Sequence, residues 1–176
     1  MKKILPLLVM LLAIAGLNSC NKACNPECYA QGGSCDGKTG KCSCKQQYFG
    51  KDCSVHCPYG KEGDSCEILS REKFLGTWSC NTKVGNSSAA TVTHLLQISA
   101  KPYFTAISIY NVNDEQYYFN ADMHGTELFE ALPQQALDAV GHQVGQVDAS
   151  GQLKDGKLKL NVTKDGQNYF CDCSKQ

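Results

Sequence analysis

Twelve cysteines in a chain of 176 residues offer more chemistry than any other side chains here, as nucleophiles, metal ligands, acylation sites or disulfide partners. Nine come early, from Cys20 to Cys66; Cys80 stands alone, and Cys171 and Cys173 close the chain. His56, between Cys53 and Cys57, would complete a zinc-type ligand set. In oxidising surroundings, where cysteines pair with one another, it reads instead as an exposed histidine in a linker. His94, His124 and His142 with Asp114, Asp122 and Asp148 contain the groups of a general acid and base, yet their spacing does not bring them together. His124-Gly125 and Asn113-Asp114 read as turns, and His94 as one side of a strand. The sequence carries no G-x-S-x-G elbow, H-E-x-x-H helix, phosphate-binding glycine loop or dinucleotide fingerprint. A non-enzymatic protein without metal or cofactor is expected. Seventeen basic residues against seventeen acidic ones give no basic excess for nucleic acid.

Disulfides need an oxidising compartment, and the N-terminus supplies a route to one. Met1-Lys2-Lys3 is a positive leader, and Ile4 to Leu17 is an apolar run shorter than the roughly 20 residues of a membrane span. Residues 1–19 are therefore predicted to be a signal peptide. Leu17-Asn18-Ser19-Cys20 resembles the lipobox of bacterial lipoproteins. That resemblance implies that Cys20 becomes the first residue after cleavage, with diacylglyceryl on its sulfur and usually a further acyl chain on its new amino group. Two or more chains anchor stably where one is marginal, because each buried CH2 contributes about 0.8 kcal/mol. Residues 20–23 would be a lipidated tether at the bacterial cell envelope, the outer membrane being expected. Asn21-Lys22-Ala23 lacks an acidic surface-export cluster, so the periplasmic and surface faces both stay open. The alternative is an ordinary secretory signal with Cys20 in a disulfide. Lipidation of Cys20 leaves eleven cysteines, an odd number, so at least one lacks a partner within the chain unless it is modified.

From Cys24 to Cys53 the spacing is C-x3-C-x6-C-x6-C-x-C-x8-C, with Gly32-Gly33 before the third cysteine and Tyr48-Phe49-Gly50-Lys51-Asp52 before the sixth. Six cysteines alone allow 15 pairings. The pattern resembles an epidermal-growth-factor-like (EGF-like) module, which implies Cys24 with Cys35, Cys28 with Cys42, and Cys44 with Cys53. So short a segment buries too little apolar surface to fold unaided, and cross-links that restrict the unfolded chain supply the difference. Calcium-binding members of that family carry acidic and amide ligands where this chain has Asn21-Lys22-Ala23 and Gly37, so no calcium site is expected. Cys57 and Cys66 enclose a glycine-containing loop suited to a local disulfide. The module is expected over residues 24–66.

Residues 67–176 are long enough for one compact core and alternate as strands do. Phe74 to Cys80 reads as a first strand, Val92 to Ile98 and Tyr103 to Tyr110 as an antiparallel pair, and Gln116 to Asp122 as the next. Thr126 to Gly141 is ambiguous: a short strand followed by an irregular or helical connection around Pro133 is expected. His142 to Ser150, Lys157 to Thr163 and Gln167 to Cys173 complete the set. Asp165-Gly166 is a hairpin signal of the type I′ class. It sets Lys164 opposite Gln167, Val162 opposite Tyr169, Leu160 opposite Cys171 and Leu158 opposite Cys173, all but the first pair facing the core. Cys80, two residues from Trp78, faces the same core, and a bond from it to Cys171 or Cys173 would clamp the first strand to the last. Cys80 with Cys171 is the assignment carried forward. The remaining thiol, buried and apolar, should be inert.

Phe74-x-Gly-x-Trp78 resembles the opening motif of lipocalin-like, or calycin-like, barrels. The later Thr-Asp-Tyr-like triplet and the late basic residue of that family are not evident in the sequence. The order of signal, EGF-like cysteines and strand domain also resembles surface lipoproteins of the Bacteroides type. The expected fold is mainly β: a small disulfide-rich module, then an antiparallel meander closing as a calycin-like barrel or tight sandwich. The expected function is that of a membrane-anchored extracytoplasmic interaction, adhesion or assembly module for a protein or glycan. Tyr29, Tyr48, Phe49 and Tyr59 are candidate anchors, with core padding the alternative for Tyr48 and Phe49. The second reading is a calycin-like binder of a small hydrophobic ligand, with Trp78, Phe104, Ile107, Phe119 and Leu160 lining its cavity or, equally, filling its core.

Overall fold

The computed structural model describes residues 22–85 and 92–176; the expected signal peptide and Cys20 lie outside the described residues. The N-terminal region holds six short strands, β1 (Gly33–Asp36), β2 (Lys41–Cys44), β3 (Tyr48–Phe49), β4 (Val55–His56), β5 (Lys61–Glu62) and β6 (Ile68–Leu69), paired as three small antiparallel sheets. Pieces of two to four residues cannot hold themselves together. Four disulfides staple them: Cys24–Cys35, Cys28–Cys42, Cys44–Cys53 and Cys57–Cys66. The ring of His56 lies 4.8 Å from that of Tyr48, between two cysteines already committed to disulfides.

A single turn of 3-10 helix, Ser70–Lys73, leads into eight longer strands: β7 (Gly76–Val84), β8 (Val92–Ala100), β9 (Ala106–Tyr110), β10 (Tyr117–Met123), β11 (Leu128–Asp138), β12 (Gln143–Lys154), β13 (Lys157–Lys164) and β14 (Gln167–Lys175). Each pairs antiparallel with the next, and β14 returns to β7, so the sheet closes as an eight-stranded barrel without open edges. The fold is the mainly β architecture expected, resolved as a barrel.

The hairpin β13–β14 has the register that its turn dictates, with Lys164 opposite Gln167 and Leu160 opposite Cys171. Asp165 (φ 50°) and Gly166 (φ 80°) are both left-handed, as a type I′ turn requires. Asp155 (φ 51°) and Gly156 (φ 72°) repeat the device between β12 and β13, so β12 continues to Lys154 rather than stopping at Ser150.

One expectation is overturned at Thr126 to Gly141, where β11 runs unbroken through Pro133. A proline cannot donate to a ladder, and the register of β11 slips on both sides of it. The Gln134 side chain fills the gap, its Oε1 accepting from Asn120 N at 3.0 Å and its Nε2 donating to Asn120 O at 2.7 Å. A side-chain amide thus replaces the missing backbone pair.

The barrel interior is filled. Trp78, Leu96, Ile98, Ile107, Ile109, Phe119, Phe129, Leu158 and Leu160 are all buried in one cluster. Phe129 lies across Gly151 of the neighbouring strand, where any Cβ would collide with its ring, and meets Phe74 edge-on at 5.3 Å. Aromatic cover of a strand glycine uses the space that the missing side chain leaves. Trp78 Nε1 donates to Phe74 O at 2.7 Å, so the indole is both packed and satisfied.

Side chains tie down a turn or connection at each barrel end. At one end Arg71, from the 3-10 turn, donates through Nη1 to the carbonyls of Lys101, Tyr103 and Ala106 at 2.7, 2.6 and 3.2 Å. At the other, the β9–β10 connection is held across the opening. His94 Nε2 accepts from Asn113 N at 3.1 Å, and Glu115 meets both Tyr169 Oη and Lys164 Nζ at 3.2 Å.

The first and last barrel strands are linked by Cys80–Cys173, which corrects the assignment of Cys171 as the partner. In the β7–β14 pairing Cys173 stands directly opposite Cys80, whereas Cys171 stands opposite Thr82. Cys171 is a buried free thiol, and burial pushes its pKa up to about 11, so it is protonated at neutral pH.

Candidate functional site

The candidate site lies where the disulfide-rich module meets the barrel. Its position follows from the chain path: β7 starts at the barrel end that carries the β8–β9 and β10–β11 turns, so the module joined to β7 rests on those turns. Gln46 Nε2 donates to His124 O at 3.3 Å, and Gly125 beside it lies so close to Gln46 that a side chain there would overlap the amide. Tyr59 lies 5.9 Å from the His124 ring, and Lys61 Nζ is 5.5 Å from the centre of the Phe104 ring. Lys73 and Glu62 add an ion pair of 2.9 Å. The two parts are thereby held along a seam made of several unlike contacts.

Two features flank His124 along this seam. On one side is an aromatic patch: Tyr103 is 79% exposed, Tyr59 52% and Phe104 42%. Rings with such exposure are surplus to either core and suit a partner-binding surface. On the other side is a groove of about 400 Å³ between the β2–β3 segment of the module and the β10–β11 turn and β12 of the barrel. Its walls mix half-buried Tyr48 and Phe49 with Gln46, Gln47, Glu127 and Gln152.

The residues proposed from sequence are distributed unequally between core and surface. Trp78, Ile107, Phe119 and Leu160 lie inside the barrel, as lining or filling residues must. Ile107 and Leu160 have no accessible surface, and neither do Leu96, Ile109 and Leu158, so no water-sized void touches them. Phe104 is corrected: the turn at Lys101-Pro102 extends to Thr105, β9 begins only at Ala106, and Phe104 sits outside the barrel against Gly60 and Lys61. Tyr29 is 43% exposed, and Tyr48 packs toward the Tyr29 and His56 rings.

The histidines and aspartates that contain acid–base chemistry are spread over the molecule. His94 and Asp114 belong to the strap over the far barrel end; there burial holds the His94 pKa below the ordinary histidine value, with Asp114 partly offsetting it. His142 pairs with Asp138 at 3.2 Å in the exposed β11–β12 turn. Backbone donors from His142 and Val140 keep the Asp138 carboxyl below the usual carboxylate range. Asp122 accepts from Thr105 at 3.3 Å at the module end. Among the described residues, Cys24, Cys28 and Cys35 are close enough together for metal ligation, and all three are in disulfides.

Sequence reasoning missed the seam itself, including Gln46, Glu127, Gln152 and Tyr103. The signal it contained was indirect: a Gly-containing turn at His124-Gly125 that accepts a neighbour, and a tyrosine-phenylalanine pair beside a proline. No family model matches the chain, and neither curated proteins nor solved structures yield a match to it.

Proposed function

We propose that this protein is a non-enzymatic lipoprotein, anchored through Cys20 to the outer membrane of a bacterial envelope, in which an EGF-like module and a calycin-like barrel form one rigid unit that presents their seam to a protein or glycan. The observation that carries this reading is the contrast between a barrel interior in which Leu96, Ile107, Ile109, Leu158 and Leu160 have no accessible surface and the exposed Tyr59, Tyr103 and Phe104 outside it. A filled barrel acts as a scaffold, and aromatic anchors are among the residues that carry most binding energy at interfaces. The lipobox-like sequence before Cys20 supplies the address, and the cysteine content agrees with an oxidising compartment.

The second reading, a binder of a small hydrophobe, rests on the eight-stranded closed barrel, a size that holds either side chains or one ligand. The packing of Phe129 over Gly151 and the absence of accessible surface at Ile107 and Leu160 favour the first.

Hydroxyl-radical footprinting of the anchored protein in intact envelopes, compared with the purified protein, tests the proposal. Protection at Tyr59, Tyr103 and Phe104 is expected. Full reactivity of all three in the envelope contradicts it.

A further inference from the structure

The seam groove has a more specific chemistry than a general contact surface. Glu127 and Gln152 are exposed, and neither side chain has a hydrogen-bond partner among the described residues. Gln46 and Gln47 each spend the amide nitrogen on a backbone carbonyl, His124 O and Cys57 O, both at 3.3 Å, which fixes the amides while leaving their oxygens as acceptors. Tyr48 and Phe49 bring half-buried ring surface to the same hollow. Planar amides can accept from and donate to neighbouring hydroxyl groups, a carboxylate can accept from two of them, and aromatic faces receive the apolar C–H faces of sugar rings. Because Gln46 and Gln47 are already held by other bonds, little of their side-chain freedom is lost when a ligand binds.

Charge narrows the class. The lining carries one cation and one anion: Lys45, whose ammonium donates to Gln31 O at 2.9 Å, and the unpartnered Glu127. With one charge of each sign the lining has no net positive charge to hold a sulfated, phosphorylated or uronic-acid ligand, and such a ligand would meet the Glu127 carboxylate as well as Lys45. Peptide binding by strand addition has no edge to use on the barrel side, because β11 and β12 are paired along both flanks. The volume of about 400 Å³ lies within the range of ligand clefts and accommodates a short oligosaccharide.

We infer that this groove binds a neutral oligosaccharide, with Glu127, Gln152 and the Gln46 and Gln47 amide oxygens addressing its hydroxyls and Tyr48 and Phe49 its ring faces. The inference rests on the seam being the working surface, and it names the class of partner.

Affinity electrophoresis of the full mature chain through gels containing neutral glucans, xylan, mannan or chitin oligomers, with polygalacturonate and heparin as acidic counterparts, tests it. Retardation by a neutral polymer and not by the acidic ones is expected. Gln152→Ala and Glu127→Gln, both at exposed positions, should each weaken retardation about tenfold, or about 1.4 kcal/mol. Val140→Ser, at the far end of the barrel, should leave it unchanged, and an unaltered set of disulfides would show that the variants fold. Mobility unaffected by every neutral polymer overturns the inference, as does retention that ignores both groove substitutions or that prefers the acidic polymers. If footprinting still protects Tyr59, Tyr103 and Phe104 in the envelope, only the sugar assignment fails; if that protection is also absent, the seam reading fails with it.

Discussion

Removing the Cys80–Cys173 bond should be among the most costly changes in the barrel, and its magnitude follows from chain length. The bond closes a loop with a sequence separation of 93 residues. The chain-entropy relation assigns such a loop about 4.6 kcal/mol at 25 °C. The perturbation is best made in a Cys171→Ala background, so that Cys80 has no second partner two residues from the first. Cys171→Ala alone removes one buried sulfur, at a cost of about 1 kcal/mol. Adding Cys173→Ala should then lower the urea midpoint by about 2 M for a slope near 2 kcal/mol per molar. Peptide mapping without reductant should recover Cys80 joined to Cys173 in both the parent and Cys171→Ala. Native protein should resist thiol alkylation, because Cys171 is buried and protonated, and should take one label once unfolded. A Cys171→Ala chain that loses the Cys80 linkage, or a double variant as stable as the single one, would refute the reasoning.

Phe129→Ala should cost about 3–5 kcal/mol by opening the barrel core, and Gly151→Ala should also destabilise because its Cβ meets the same ring; the double variant should cost less than the sum of the two. Arg71→Ala should cost about 1.5–3 kcal/mol in a chemical melt by removing charged donors from the carbonyls of Lys101, Tyr103 and Ala106 at the module end, the last two keeping their backbone donors. His94 should make stability depend on pH. Its folded pKa lies below its ordinary value of 6.5, so its contribution is present above 6.5 and is lost as pH falls through the folded pKa; His94→Gln should flatten that slope. Cys20→Ser should abolish metabolic labelling by palmitate and move the chain from the membrane fraction to the soluble one.

Local chemistry made part of this fold readable from sequence. Asp165-Gly166 fixes a turn, the turn fixes a register, and the register sends Leu160 and Cys171 to the same side. Asp155-Gly156 carried the same signal and extends β12. Pro133 misled because its usual role as a breaker is offset by Gln134, and that compensation needs Asn120 of the adjacent strand in place. The partner of Cys80 was unreadable for a related reason. No turn joins β14 to β7, so their register is set by closure of the whole barrel rather than by any short segment. The seam depends on two distant parts docking: Gln46 and His124 are 78 residues apart, and no periodicity within either part reveals their contact.

The central claim, that the barrel is a filled scaffold and the working surface lies outside it, is tested most directly by native mass spectrometry of the full mature protein from its oxidising compartment, followed by solvent extraction. The account predicts the mass of the lipidated chain with five disulfides and one thiol, and an extract without a stoichiometric hydrophobe. A one-to-one apolar adduct that leaves on extraction would contradict it and give the barrel interior the binding role.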